Sequence, residues 1–161
     1  MTYEHESGIK RCIACAILAG GLIAGTVDIG GAALINLLDA RIILRFIAGG
    51  LRGKAALQGG AGAVWLGLLL QWAMSLVIAA VFVLAAVRLR WMTARWILAG
   101  LAYGVVVFVV MNYAVMPVSA WHRINHFTPM KFAENLVAML VYGSIIAFCA
   151  RRFLGASTER G

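Results

Sequence analysis

Four long apolar stretches, residues 13–38, 62–87, 96–116 and 132–153, decide what this chain can become. Each exceeds the roughly 20 residues a helix needs to cross about 30 Å of hydrocarbon. None alternates with a period of two, so barrel strands are excluded and helices remain. The composition agrees: 63% of residues are hydrophobic and 12% charged, whereas a soluble domain carries about 25% charged residues. The fold class expected is all-α, a polytopic membrane protein forming one transmembrane domain over residues 1–161. Its spans make a four-transmembrane-helix bundle, with a short interfacial amphipathic helix between the first two.

Lys10 and Arg11 ahead of "CAILAGG" resemble the start of a cleaved signal peptide. The apolar run continues to Leu38, however, too far for a signal core, and is read as a span. With both termini cytoplasmic, the inside carries Lys10, Arg11, Arg88, Arg90, Arg95, Arg151, Arg152 and Arg160. The outside carries Arg41, Arg45, Arg52, Lys54, Arg123 and Lys131. Eight against six favours this orientation by a small margin.

The outer excess comes from one loop, "DARIILRFIAGGLRGKAALQGG", residues 39–60. Helical spacing gathers Arg41, Arg45 and Arg52 on one side, with Ile43, Ile47 and Leu51 on another. Such a segment lies in the headgroup layer, where Arg41, Arg45, Arg52 and Lys54 meet lipid phosphates. Gly49, Gly50 and Gly53 are expected to break it before the second span. The net charge of +8 therefore points to membrane lipids as partners and not to nucleic acid, for which the chain has no soluble groove.

Asp28 interrupts the first stretch. Steps of three and four from it collect Gly21, Ala24, Gly25, Gly31, Ala32, Ile35 and Asn36, a small and polar stripe. The second span repeats this with Ala63, Gly67, Gln71 and Ser75, and the third with Gly100, Gly104 and Asn112. Small residues let membrane helices approach closely, so Asp28, Gln71, Ser75 and Asn112 are expected to point inward as a candidate proton or ligand site. A central Asp costs roughly 3 kcal/mol, against about 0.3–0.6 kcal/mol gained per large aliphatic. Eleven Leu, Ile and Val residues in the first span still allow insertion. Inside, the carboxyl either takes up a proton or accepts hydrogen bonds from Gln71, Ser75 or Asn112, because no Lys or Arg lies within the first three spans and the fourth carries only Arg151 and Arg152, at its far end.

Other chemistry is thin. Cys12 and Cys15 have redox spacing but open a membrane helix, and read as free lipid-facing thiols. His122 and His126, four apart in "WHRINHF", are weak metal candidates with no acidic or thiol ligand beside them. That segment is expected to rest at the headgroups through Trp121 and Phe127. Haem would want histidines inside the spans, and no cofactor motif is present. Thr128 and Pro129 should start the fourth span, with Glu134 reaching back to Lys131. "ILAGGLIAG" at 17–25 and "ILAGLAYG" at 97–104 suggest two parallel halves.

The segments "GTVDI", "LRGKAALQGGAGAVWLGLLLQW" and "LAGLAYGVVVFVVMNYAVMPVSA" resemble small bacterial inner-membrane proteins of four spans and no assigned activity. The resemblance covers about residues 17–153. It implies an Asp at Asp28, an Asn-Tyr pair at Asn112–Tyr113, and histidines where this chain has Gln71 and Ala138. It also implies a bacterial plasma membrane. With a single carboxylate inside the bundle, the expected function is non-enzymatic: a scaffold, accessory or lipid-interacting subunit, partnered by lipid, a second copy or another membrane protein. The alternative is a proton-coupled small-molecule transporter or channel subunit using Asp28.

Overall fold

The computed structural model describes residues 2–122 and 128–158, with side chains over 8–122 and 128–155. Every regular element among them is helical: α1 (Thr2–Asn36), α2 (Ala40–Arg52), a 3-10 segment (Gly53–Gln58), α3 (Ala61–Arg88), α4 (Arg90–Ala94), α5 (Trp96–Val110), a π-helical turn (Met111–Val115), α6 (Met116–Val118) and α7 (Pro129–Thr158). Four segments are long and apolar enough to cross a membrane: Gly8–Asn36, Ala61–Arg88, Trp96–Val118 and Pro129–Gly155. The chain is an all-α, four-span bundle.

Consecutive spans pack in two pairs, and the last span also packs along the first. The last span, α7, packs along both α1 and α5, and α1 packs along α3. Between lipid-immersed helices apolar burial drives little, so close backbone approach must supply the packing. Gly104 and Gly143 show how close: a Cβ added at Gly143 would lie 2.9 Å from the Gly104 Cα. The two "ILAG" segments use α7 in the same way. A Cβ at Gly20 would stand 3.6 Å from the Ile146 Cα, and one at Gly100 would stand 2.9 Å from the Ser144 Cα. Between these seams the core is mostly alanine, with Phe82, Val83 and Ile146 as its large fully buried side chains.

α3 and α5 close the ring with side chains. The Tyr103 hydroxyl donates to the Ile78 carbonyl at 2.7 Å, and its ring meets Phe82 edge-on at 5.0 Å. Near Pro117 the third span widens. Proline has no N–H to continue the ladder, and the Met116 N–H reaches five residues back to the Met111 carbonyl.

The loop between the first spans departs from expectation. α2 runs through Gly49 and Gly50 to Arg52, and Gly53 alone ends it, at φ 67°. Gly49 and Gly50 serve contact instead: a Cβ at Gly49 would strike the Trp121 indole. Trp121 is thus not a free headgroup anchor. Its ring stacks on Phe46 at 4.5 Å, its Nε1 donates to the Phe46 carbonyl at 3.2 Å, and the Ala120 N–H donates to the Gly50 carbonyl at 2.8 Å. The helix also has a third face. Leu44, Ala48 and Gly49 are buried, with Leu44 seated on Gly67 of α3.

The fourth span opens as its sequence implies. The Lys131 N–H donates to Thr128 Oγ1 at 3.4 Å, and Lys131 pairs with Glu134 at 2.9 Å. Lys131 Nζ also donates to the Ile35 carbonyl at 2.7 Å, placing a cation at the negative end of α1.

Candidate functional site

Asp28 owes its position to two glycines. α1 and α3 run antiparallel, and a Cβ at Gly21 would lie 3.0 Å from the Leu76 Cα. One turn along, a Cβ at Gly25 would lie 2.6 Å from Ser75 Oγ. The next step brings Asp28 opposite Gln71, whose Nε2 donates to Asp28 Oδ2 at 2.8 Å. Trp72 flanks the pair, its Nε1 donating to Thr26 Oγ1 at 3.3 Å. Gln71, Ser75 and Asn112 are buried and Asp28 is half-buried.

Two of these four residues are joined directly. Asp28 and Gln71 are joined and Ser75 lies a turn deeper. Asn112 donates from Nδ2 to the Phe108 carbonyl of its own helix at 2.9 Å, at the widened turn. Sequence reasoning missed a fifth group. Tyr142 of α7 is buried with its hydroxyl beside Ser75. A tyrosine ordinarily marks the membrane interface. The available signal was its place next to Gly143 on the small-residue face.

The interior therefore offers the Asp28 carboxyl, the Gln71 and Asn112 amides and the Ser75 and Tyr142 hydroxyls. That set can hold or exchange a proton at Asp28. Among the described residues no second carboxylate joins Asp28 for paired acid–base work; Glu134 sits at the start of α7 with Lys131. Two clefts of about 530 and 510 Å³ open on the flanks of the bundle, and neither is lined by Asp28, Gln71 or Asn112.

Among the lipid-facing candidates, Arg41, Arg52 and Lys54 are exposed, whereas Arg45 is half-buried with its Nε unpaired. His122 is exposed; its candidate partner His126 lies outside the described residues, as does Phe127. No group of three potential metal ligands occurs among the described residues. Cys12, Cys15 and Cys149 are free thiols, but Cys149 is buried against Gly20 and only Cys15 is fully exposed.

Fold and composition define a multi-pass helical membrane protein. The chain matches no family model, no curated protein and no solved structure.

Proposed function

We propose that this protein is a non-catalytic helical bundle of the bacterial plasma membrane, a scaffolding or accessory subunit in which Asp28 fixes the register of its first two spans. The observation carrying this reading is the line of contacts Gly21–Leu76, Gly25–Ser75 and Asp28–Gln71. Sliding α1 along α3 would bring Asp28 opposite hydrocarbon and leave Gln71 unpaired. A single polar pair within an apolar seam specifies alignment in this way.

A second reading, a proton-coupled transporter or channel subunit, draws support from the buried Tyr142 hydroxyl beside Ser75, a turn from the Asp28–Gln71 pair. Infrared difference spectra between the protein and Asp28→Asn in liposomes, taken from about pH 5 to 9, decide between them. The packing role expects a carboxyl band that keeps one form throughout. A band titrating between about pH 6 and 8 would overturn it in favour of proton coupling.

A further inference from the structure

One flank of the bundle is grooved along its last span. The 530 Å³ cleft is lined mostly by α7, with Trp96 and Leu101 of α5 on one side and Ile23 of α1 on the other. On α7 the lining residues Val137, Val141, Ser144 and Phe148 recur at steps of three and four, which makes them one stripe of the helix. From Val137 to Phe148 that stripe runs about 16 Å at the helical rise. This is close to the hydrocarbon depth of one leaflet, about 15 Å. The Ser144 hydroxyl is already spent on the Leu140 carbonyl, to which it donates at 2.7 Å. The groove therefore suits an alkyl chain and not a polar solute.

The same stripe leads to cations. Arg151 and Arg152 follow Phe148 by three and four residues, so they take the next turn of the stripe, just past the cleft. Both are exposed. Arg151 is also fixed to the cleft wall: its guanidinium carbon lies 5.7 Å from the centroid of the Trp96 ring. Trp96 in turn meets Phe148 edge-on at 5.5 Å. Because Trp96 and Phe148 both line the cleft, the charge stands at its mouth. Arg95, the residue before Trp96, is exposed as well. Among the described side chains the acids are Asp28, inside the bundle, and Asp39 and Glu134, at its opposite end, so no carboxylate answers these arginines. A cation–π contact gives a guanidinium no oxygen acceptor either. Exposed arginines at the end of an apolar groove one leaflet long match the two parts of a phospholipid. A second copy suits this face poorly, since a two-fold axis along the bilayer normal would set Arg151 and Arg152 against their own counterparts.

We infer that this flank binds one anionic phospholipid, its phosphate on Arg151 and Arg152 and one acyl chain along α7 from Phe148 to Val137. The charge selects the lipid. A zwitterionic headgroup would bring its ammonium among Arg95, Arg151 and Arg152, whereas an anionic one brings no such repulsion. The cleft includes neither Asp28 nor Gln71, so the site stands or falls independently of the register role.

The test is native mass spectrometry of the full-length protein released from nanodiscs containing equal phosphatidylglycerol and phosphatidylcholine. The expected result is one retained phosphatidylglycerol per protomer, with Arg151→Gln and Arg152→Gln together lowering retention at least about tenfold. Val141→Trp, which fills the cleft without changing charge, should lower it as well. Arg88, exposed at the end of α3 and outside the cleft, is the control: Arg88→Gln should leave retention unchanged. Added inorganic phosphate should not displace the lipid, because it lacks the chain. Equal retention of both lipids, displacement by phosphate alone, or full retention in Val141→Trp would each overturn the site. An equal loss in Arg88→Gln would do so too, by showing diffuse charge in place of a site. So would a lipid-free dimer, which would give the cleft to a helix of a second copy. Should the double arginine variant fail to fold, Val141→Trp and the lipid comparison decide the matter.

Discussion

Gly67 of α3 lies directly under the backbone of Leu44, so close that an added Cβ would stand 3.0 Å from the Leu44 Cα and collide with its carbonyl. A connecting helix that merely floated in the headgroups would leave no such imprint. α2 is part of the packed structure.

Gly67→Ala should therefore unseat α2, at a cost of about 1–3 kcal/mol for an overpacked contact. In a variant lacking the three native cysteines, Ala48→Cys reports the change, because Ala48 is fully buried. Maleimide should label this thiol slowly with Gly67 present and at least about tenfold faster with Gly67→Ala, the difference that 1.4 kcal/mol of opening free energy represents. Equal labelling rates would mean that α2 does not depend on this seat.

The Asp28–Gln71 pair should show energetic coupling. A double-mutant cycle with Asp28→Ala and Gln71→Ala is expected to return about 0.6–1.7 kcal/mol, the range for polar pairs between membrane helices. Unfolding in mixed micelles provides the measurement. Strictly additive single effects would show the hydrogen bond to be energetically idle.

Two left-handed backbone positions should answer substitution with opposite signs. Leu37 ends α1 at φ 52° and is 91% exposed. Around it, Leu38 N–H donates to the Ala33 carbonyl at 3.0 Å and Leu37 N–H to the Leu34 carbonyl at 3.2 Å, a helix stop that suits glycine. Leu37→Gly should raise stability by up to about 1 kcal/mol. Gly53, at φ 67° and ψ −158°, occupies a region nearly closed to other residues. Gly53→Ala should cost about 1–3 kcal/mol. Thermal denaturation of both variants in one detergent tests the contrast, and shifts of the same sign would refute it.

Lys131 should matter more to the end of α1 than to Glu134. Lys131→Met removes the cation from the Ile35 carbonyl and should cost about 0.3–1 kcal/mol. Glu134→Gln breaks only a partly exposed pair and should cost less. Hydrogen exchange at the last turn of α1 is expected to accelerate in Lys131→Met alone.

The spans could be read from sequence because crossing hydrocarbon depends on local composition, and the inward faces could be read because small residues recur at helical spacing. Which faces meet could not. Gln71 was expected inside, but its pairing with Asp28 follows from the offset that Gly21 and Gly25 impose across α3. Gly49 and Gly50 look like helix breakers because glycine weakens a solvated helix; here they admit Trp121. Asn112 sits in the widened turn before Pro117, a backbone event that leaves little mark on side-chain periodicity. Tyr142 shows the converse failure, a residue type associated with interfaces placed at the core.

The position of α7 has a consequence for biogenesis. It separates α1 from α5 and packs along both, yet it is the last of the four spans to leave the ribosome. Until it arrives, the glycine faces of Gly20 and Gly100 have only lipid against them, and α5 is tied to α3 through little more than Tyr103 and Phe82. The third span must therefore wait in the bilayer beside the pair that α1 and α3 already form. Assembly is settled by a single late insertion that joins both sides at once.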